Sequence, residues 1–195
     1  DGCPVLLQRL GRAALSPSLS LHRYPSQYDF NLSICALGAE VTVLKILVFS
    51  DSHRSVAGML SAVADEAPDQ IIHLGDLEED AEAVSDAYPR IPVCMVPGNC
   101  DGWTTHALKK QITLDGVRIL LSHGHLWGVK GSYDAAVADA RACQADILLF
   151  GHTHRPLCRQ LEDGLWMLNP GSARTTYGVI ELDRGHLQCT LRQMP

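Results

Sequence analysis

Lys45-Ile46-Leu47-Val48-Phe49-Ser50-Asp51-Ser52-His53 decides the architecture. Five residues rich in β-branched and large apolar side chains read as a short strand buried on both faces. Directly behind it, Val56, Met59, Leu60 and Val63 recur at helical spacing. A buried strand followed by an amphipathic helix opens a βα unit, and the strand ends on a small residue and then two residues able to bind a metal.

Working outward, Ile71–Leu74 is a second strand, the Ala- and Glu-rich run 80–88 a second helix and Ile91–Val96 a third strand, so the first half reads β-α-β-α-β. Gln111–Leu114 and Val117–Leu121 flank Asp115-Gly116, a dipeptide suited to a tight hairpin turn. A helix over Tyr133–Cys143 and a strand over Asp146–Phe150 follow. Further strands are expected near Leu165–Leu168, Gly178–Leu182 and Leu187–Leu191. Two mixed sheets packed face to face, with helices on each outer face, would bury all of these apolar runs.

Residues 1 to about 43 show neither a helical nor a strand period and read as an irregular or disordered extension without chemistry. The start at Asp1 suggests a cloning remnant, a processed fragment or sequence upstream of the natural domain, which is expected over 44–195. The chain has 195 residues, 46% of them hydrophobic, enough for one domain with a full core. A net charge of −6 without basic blocks argues against a duplex nucleic-acid partner. The most apolar stretch, 32–49, is interrupted by Glu40 and Lys45 and does not read as a membrane span. Seven scattered cysteines without CxxC pairs fit a reducing, cytoplasmic setting.

Five strands end alike, in Ser50-Asp51, Gly75-Asp76, Gly98-Asn99, Ser122-His123 and Gly151-His152, and two of these continue to His53 and His154. Ligands of α/β sheets collect at the carboxyl ends of strands, so these residues should meet in one crevice. Each alone has an ordinary explanation as a turn, cap or surface residue. Their joint placement does not. Seven donors are too many for one ion, and their mixed oxygen and nitrogen character suits Mn²⁺, Fe or Zn²⁺ better than Ca²⁺ or Mg²⁺. Two such ions about 3.5–4 Å apart would activate a hydroxide and clamp a phosphoryl group, so phosphoester hydrolysis is the expected reaction.

Other residues are expected to stay outside this chemistry. His22, His106 and His186 are placed in loops or the tail, and Glu78-Glu79-Asp80 in a solvated helix start. His73 is expected in the core or orienting a ligand. His125 is left between orienting a neighbour and touching substrate. Cys100 is either a small buried residue or, following Asn99, an edge of the metal site. Asn169-Pro-Gly-Ser172 reads as a turn whose amides could line the crevice.

The series Asp51-Ser-His53, Gly75-Asp76, Gly98-Asn99-Cys-Asp101, His123-Gly-His125 and Gly151-His-Thr-His154 resembles the calcineurin-like metallophosphoesterase superfamily, in particular its YfcE-like phosphodiesterase branch, over about 44–195. The resemblance implies a four-layer αββα sandwich and two divalent metal ions, Mn²⁺ first, with Fe, Zn²⁺ or Ni²⁺ as alternatives. It implies that one ion takes Asp51, His53 and His154, the other Asn99, His123 and His152, and that Asp76 bridges them. Asp76, Asn99, Cys100 and His125 are the expected catalytic residues. Many members of the superfamily carry a histidine after the motif asparagine, where it helps protonate the leaving group. Cys100 stands there in this chain, as in the YfcE-like branch, which favours a small phosphodiester over a phosphomonoester as substrate. The alternatives are a phosphomonoesterase and a binding scaffold, since a retromer subunit resembles the fold without a competent metal site. A nuclease is disfavoured by the acidic charge. A homo-oligomer is open.

Overall fold

Alternation along the strands distributes their buried apolar side chains over three layers. Ile46 and Val48 of β1 (Leu44–Phe49) face one way, Leu47 and Phe49 the other, as the period of two requires. The structure is a computed structural model and describes residues 43–195; the expectations for residues 1 to 42 lie outside the described residues.

After β1 come α1 (Val56–Glu66), β2 (Gln70–His73), α2 (Glu78–Ala87) and β3 (Val93–Met95). The hairpin strands β4 (Lys109–Leu114) and β5 (Val117–Ser122) follow, then α3 (Asp134–Ala142) and β6 (Ile147–Leu149). The chain closes with β7 (Leu157–Gln160), β8 (Trp166–Asn169), β9 (Thr176–Asp183) and β10 (His186–Gln193). One sheet has the order β10-β9-β1-β2-β3 and the other β4-β5-β6-β8-β7. Both are mixed: β1 pairs parallel with β2 and antiparallel with β9, and β6 lies parallel between β5 and β8.

The inner layer joins Ile46, Val48 and Ile180 of the first sheet to Ile119, Leu121, Ile147, Leu149 and Leu168 of the second. Outside the first sheet, Met59, Ala62 and Val63 of α1 and Val84 of α2 pack on Leu47, Phe49 and Val179. Outside the second, Ala136 and Ala140 of α3 pack on Leu120, Leu148 and Phe150. The fold is therefore the expected four-layer αββα sandwich. No helix among the described residues is long and apolar enough to cross a membrane.

Two strand placements differ from the sequence expectations. Leu157–Gln160 forms an edge strand paired antiparallel with β8, although only its first two residues are half-buried and the rest are exposed, so the run carries little apolar signal. His186 is not in a loose tail but opens β10, paired with Asp183.

Candidate metal centre

Five loops leaving the carboxyl ends of β1, β2, β3, β5 and β6 carry all the expected ligands, and the local backbone is built to aim them. Asp51, His53, Asp76, His152 and His154 all adopt positive φ, between 43° and 68°. For a non-glycine residue that conformation costs roughly 1–2 kcal/mol, and it recurs where side chains must converge. Two glycines let the loops close up. A Cβ at Gly98 would overlap Asp76 Oδ1, and one at Gly151 would overlap Ser50 Oγ.

Asp51, His53, Asp76 and His154 offer ligand atoms that all lie within 4.8 Å of one another. Beside them, His123 Nε2 stands 3.1 Å from His152 Nδ1 and 3.2 Å from Asn99 Oδ1. Asp76 lies between the two groups, with Oδ1 3.5 Å from His123 Nε2 and Oδ2 3.9 Å from His53 Nε2. The seven residues singled out as metal ligands thus come together in one place.

The hydrogen-bonding pattern fits cations. His123 Nδ1 is 2.8 Å from the Leu74 carbonyl oxygen, which can only accept, so Nδ1 carries a proton and Nε2 is the ring atom turned towards the other ligands. Asn99 Oδ1 and the Asp76 carboxylate around it have no proton to offer. Asp51 Oδ2 accepts from Ser50 Oγ and the His152 amide, whereas Asp51 Oδ1 is buried without a hydrogen-bond partner, despite His154 Nε2 at 3.1 Å. Lone pairs crowded this closely repel one another unless a cation lies among them.

The titration of the neighbouring groups is consistent with that donor set. Burial pulls the Asp76 carboxyl upward, but the Cys100 amide and His123 outweigh it and hold it below the ordinary carboxylate range. Burial, then His123, pushes His152 and His125 down, which favours the neutral rings that can donate a lone pair. Burial and then Asp76 push the Cys100 thiol up.

Around the ligands runs a layer of supporting hydrogen bonds that sequence reasoning only partly anticipated. His73 is buried at the end of β2, receiving the Gly75 amide and contacting Ser52 Oγ at 3.2 Å, as an orienting or core residue would. Asp80 was expected in a solvated helix start. It is instead buried, accepting from Ser52 Oγ at 2.7 Å and from the Arg54 amide at 2.7 Å, and so fixes the loop that carries His53. The signal for this was its place in the first turn of α2, where a carboxylate can point back over the strand ends. Asp101 accepts the Gly98, Asp76 and Glu78 amides. The Asn169–Ser172 turn braces the loops from the other side: Asn169 Nδ2 donates to the Gly151 carbonyl and Ser172 Oγ to the Asp51 carbonyl.

At the rim, Cys100 is exposed rather than buried, with its amide on Asp76 Oδ1. His125 begins a short 3₁₀ turn (His125–Trp127); its Nδ1 is buried without a partner and its ring is 5.5 Å from that of His123. His106 lies in a loop, as expected, and pairs with Glu78 at 2.6 Å. Trp103 and Leu126 are exposed. Cavities of about 560 and 570 Å³ lie elsewhere, around Trp166 and around Tyr133, and gather none of these donors.

Comparison with known proteins agrees with the geometry. The family model of the calcineurin-like phosphoesterase superfamily domain matches residues 44–184. A probable metallophosphoesterase, YsnB of Bacillus subtilis, is 33% identical over 135 residues, covering 67% of this chain and 76% of that protein. The phosphodiesterase YfcE of Escherichia coli is 26% identical over 172 residues, covering 72% of this chain and 89% of YfcE. Among solved structures, Vps29 of Entamoeba histolytica complexed with Zn²⁺ superposes with a TM-score of 0.59 at 22% identity, covering 76% of this chain and 98% of that one; it shares the fold.

Proposed function

The chain belongs to the calcineurin-like phosphoesterase superfamily, and from that premise we propose that it is a dinuclear metal-dependent phosphodiesterase acting on small phosphodiesters. The observation that carries this reading is the place of Asp76, whose two carboxylate oxygens face separate groups of ligands, His53 on one side and His123 on the other. Asp51, His53 and His154 would hold one cation, and Asn99, His123 and His152 the other, with Asp76 shared. Mn²⁺ is the preferred metal, with Fe, Zn²⁺ or Ni²⁺ as alternatives. Bound there, such cations make hydroxide available near neutral pH and neutralise charge on phosphoryl oxygens.

The chain's own residues account for the rest of the reading. Asp80, Asp101, His73 and Ser172 hold the ligand loops in their strained conformations, so the donors are set before any substrate arrives. His125 would contact a substrate oxygen, a role that its ring beside His123 supports. The exposed thiol of Cys100 stands where an imidazole would help a poor leaving group depart, and a thiol shifted upward is a weak acid for that task. Diesters that leave without such help are therefore the favoured substrates, and the similarity to YfcE supports that choice over monoesters. Five free cysteines among the described residues support a reducing, cytoplasmic setting.

The test is turnover of bis(p-nitrophenyl) phosphate against p-nitrophenyl phosphate by the Mn²⁺-loaded protein. Faster diester hydrolysis is the expected result. Preference for the monoester would make the protein a phosphomonoesterase, and no turnover of either despite bound metal would leave a binding scaffold, the reading that likeness to Vps29 keeps in view.

A further inference from the structure

The arginines that form ion pairs among the described residues are Arg118, Arg141, Arg184 and Arg192. Arg54, Arg90, Arg155, Arg159 and Arg174 are exposed and are not among them, and Arg54, Arg155 and Arg174 lie beside the ligand loops. Of the last three, two follow metal-ligand candidates directly, Arg54 after His53 and Arg155 after His154, and Arg174 is bonded to the same region. The rim on the His53 and His154 side is thus rich in unpaired positive charge, although the chain carries a net −6.

Arg174 is the one whose side chain is fixed. Its guanidinium donates to the His53 carbonyl oxygen at 2.8 Å, and its amide lies 3.4 Å from Ser172 Oγ, which itself donates to the Asp51 carbonyl. The turn behind it is held on both flanks: the Ala173 amide donates to the Ser50 carbonyl, and the Gly171 amide to Asn169 Oδ1. Asn169 in turn donates to the Gly151 carbonyl at the base of the His152 loop. This frame seats a planar fork of five N–H donors beside a ligand loop and uses one of its bonds for the seat. A guanidinium so restrained loses little freedom on binding an oxyanion, and its fork matches a carboxylate or phosphate.

We propose that Arg174 is a substrate-binding residue that takes an anionic oxyacid group on one arm of the phosphodiester, so that the preferred substrates carry a second negative charge beside the scissile phosphate. The proposal rests on the phosphodiesterase reading above. Arg54 and Arg155 add to the attraction on the same side.

A matched pair of substrates isolates the effect: the p-nitrophenyl ester of thymidine 5′-phosphate, and the same ester carrying an additional 3′-phosphate. Both have one leaving group and one scissile diester, and they differ by the extra oxyanion. The wild-type protein should favour the 3′-phosphorylated ester in kcat/KM. Arg174→Gln should lower that ratio about tenfold, chiefly through KM, the order expected for losing one charge-assisted hydrogen bond at an exposed site. Calorimetric binding of thymidine 3′,5′-bisphosphate should weaken to a similar degree, and Arg174→Lys should recover part of it.

The outcomes separate the two readings. If the wild type hydrolyses neither ester, the phosphodiesterase reading fails. If it hydrolyses both without preference, or Arg174→Gln keeps the preference and the bisphosphate affinity, the anion-binding role is wrong while the diesterase stands. If both esters slow equally in the variant, Arg174 serves only to hold the His53 loop.

Discussion

Asp101 Oδ2 accepts the backbone N–H of Asp76 at 3.0 Å, so the strained residue between the two ligand groups is held by a carboxylate from the loop that follows Asn99. The same side chain takes the Gly98 and Glu78 amides at 2.7 Å. One carboxylate thereby ties the ends of β2 and β3 together, and the spacing between the ligand groups depends on it.

Replacing Asp101 with alanine should therefore act on metal binding as well as on folding. Three amides lose a charged acceptor, and we expect a loss of about 3 kcal/mol in stability together with metal affinity weakened about 10–100-fold. Chemical denaturation and a metal titration measure the two effects. Lost stability with unchanged metal affinity would reduce Asp101 to a turn residue.

Asp76→Ala should have the larger effect on the metals, because each carboxylate oxygen faces a different group of ligands. Elemental analysis is expected to show less than two equivalents of metal per chain, with diesterase activity lost alongside. Full retention of both equivalents would show that Asp76 does not bridge.

Cys100→His should change which leaving groups depart. An imidazolium, with an ordinary pKa near 6.5, is a better proton donor than a thiol whose pKa is shifted upward. We expect kcat/KM for alkyl monoesters to rise by up to about 10²-fold relative to an aryl diester, at equal metal content. An unchanged ratio would assign the diester preference to the shape of the crevice.

His73 should make the metal-free protein sensitive to acid. Burial pushes its pKa from 6.5 down to about 4, with Asp80 and Asp101 opposing the shift. Between those values the unfolded chain binds the proton and the folded chain does not. The contribution of His73 is thus complete above pH 6.5 and is lost as pH falls towards about 4, by an amount on the order of 3 kcal/mol. In His73→Gln the slope of stability against pH across that window should be shallower, as read from denaturation midpoints at several pH values. His125 and His152, also shifted down, leave some slope behind. Equal slopes in the two proteins would remove His73 from the acid response.

The sequence by itself determined which residues are donors and where along the chain the sheets and helices fall, because both are local properties. A buried strand such as 45–49 announces itself by an uninterrupted apolar run, and a donor such as Asp51 or His152 by its place just beyond one. The tertiary structure alone decided what lies beside what. The insertion of β9 next to β1 joins residues more than a hundred positions apart and leaves no periodic trace. The edge strand β7, with two exposed residues in four, acquires its conformation from pairing with β8 rather than from its own composition. Asp80 has the same local sequence context whether solvated or buried, and only the approach of the Ser52–Arg54 loop makes it an acceptor within the site. Arg174 is likewise an ordinary surface arginine by sequence, and becomes a candidate for substrate binding because the Asn169–Ser172 turn is bonded to the backbone of Asp51 and Gly151, loops that meet it only in the folded chain.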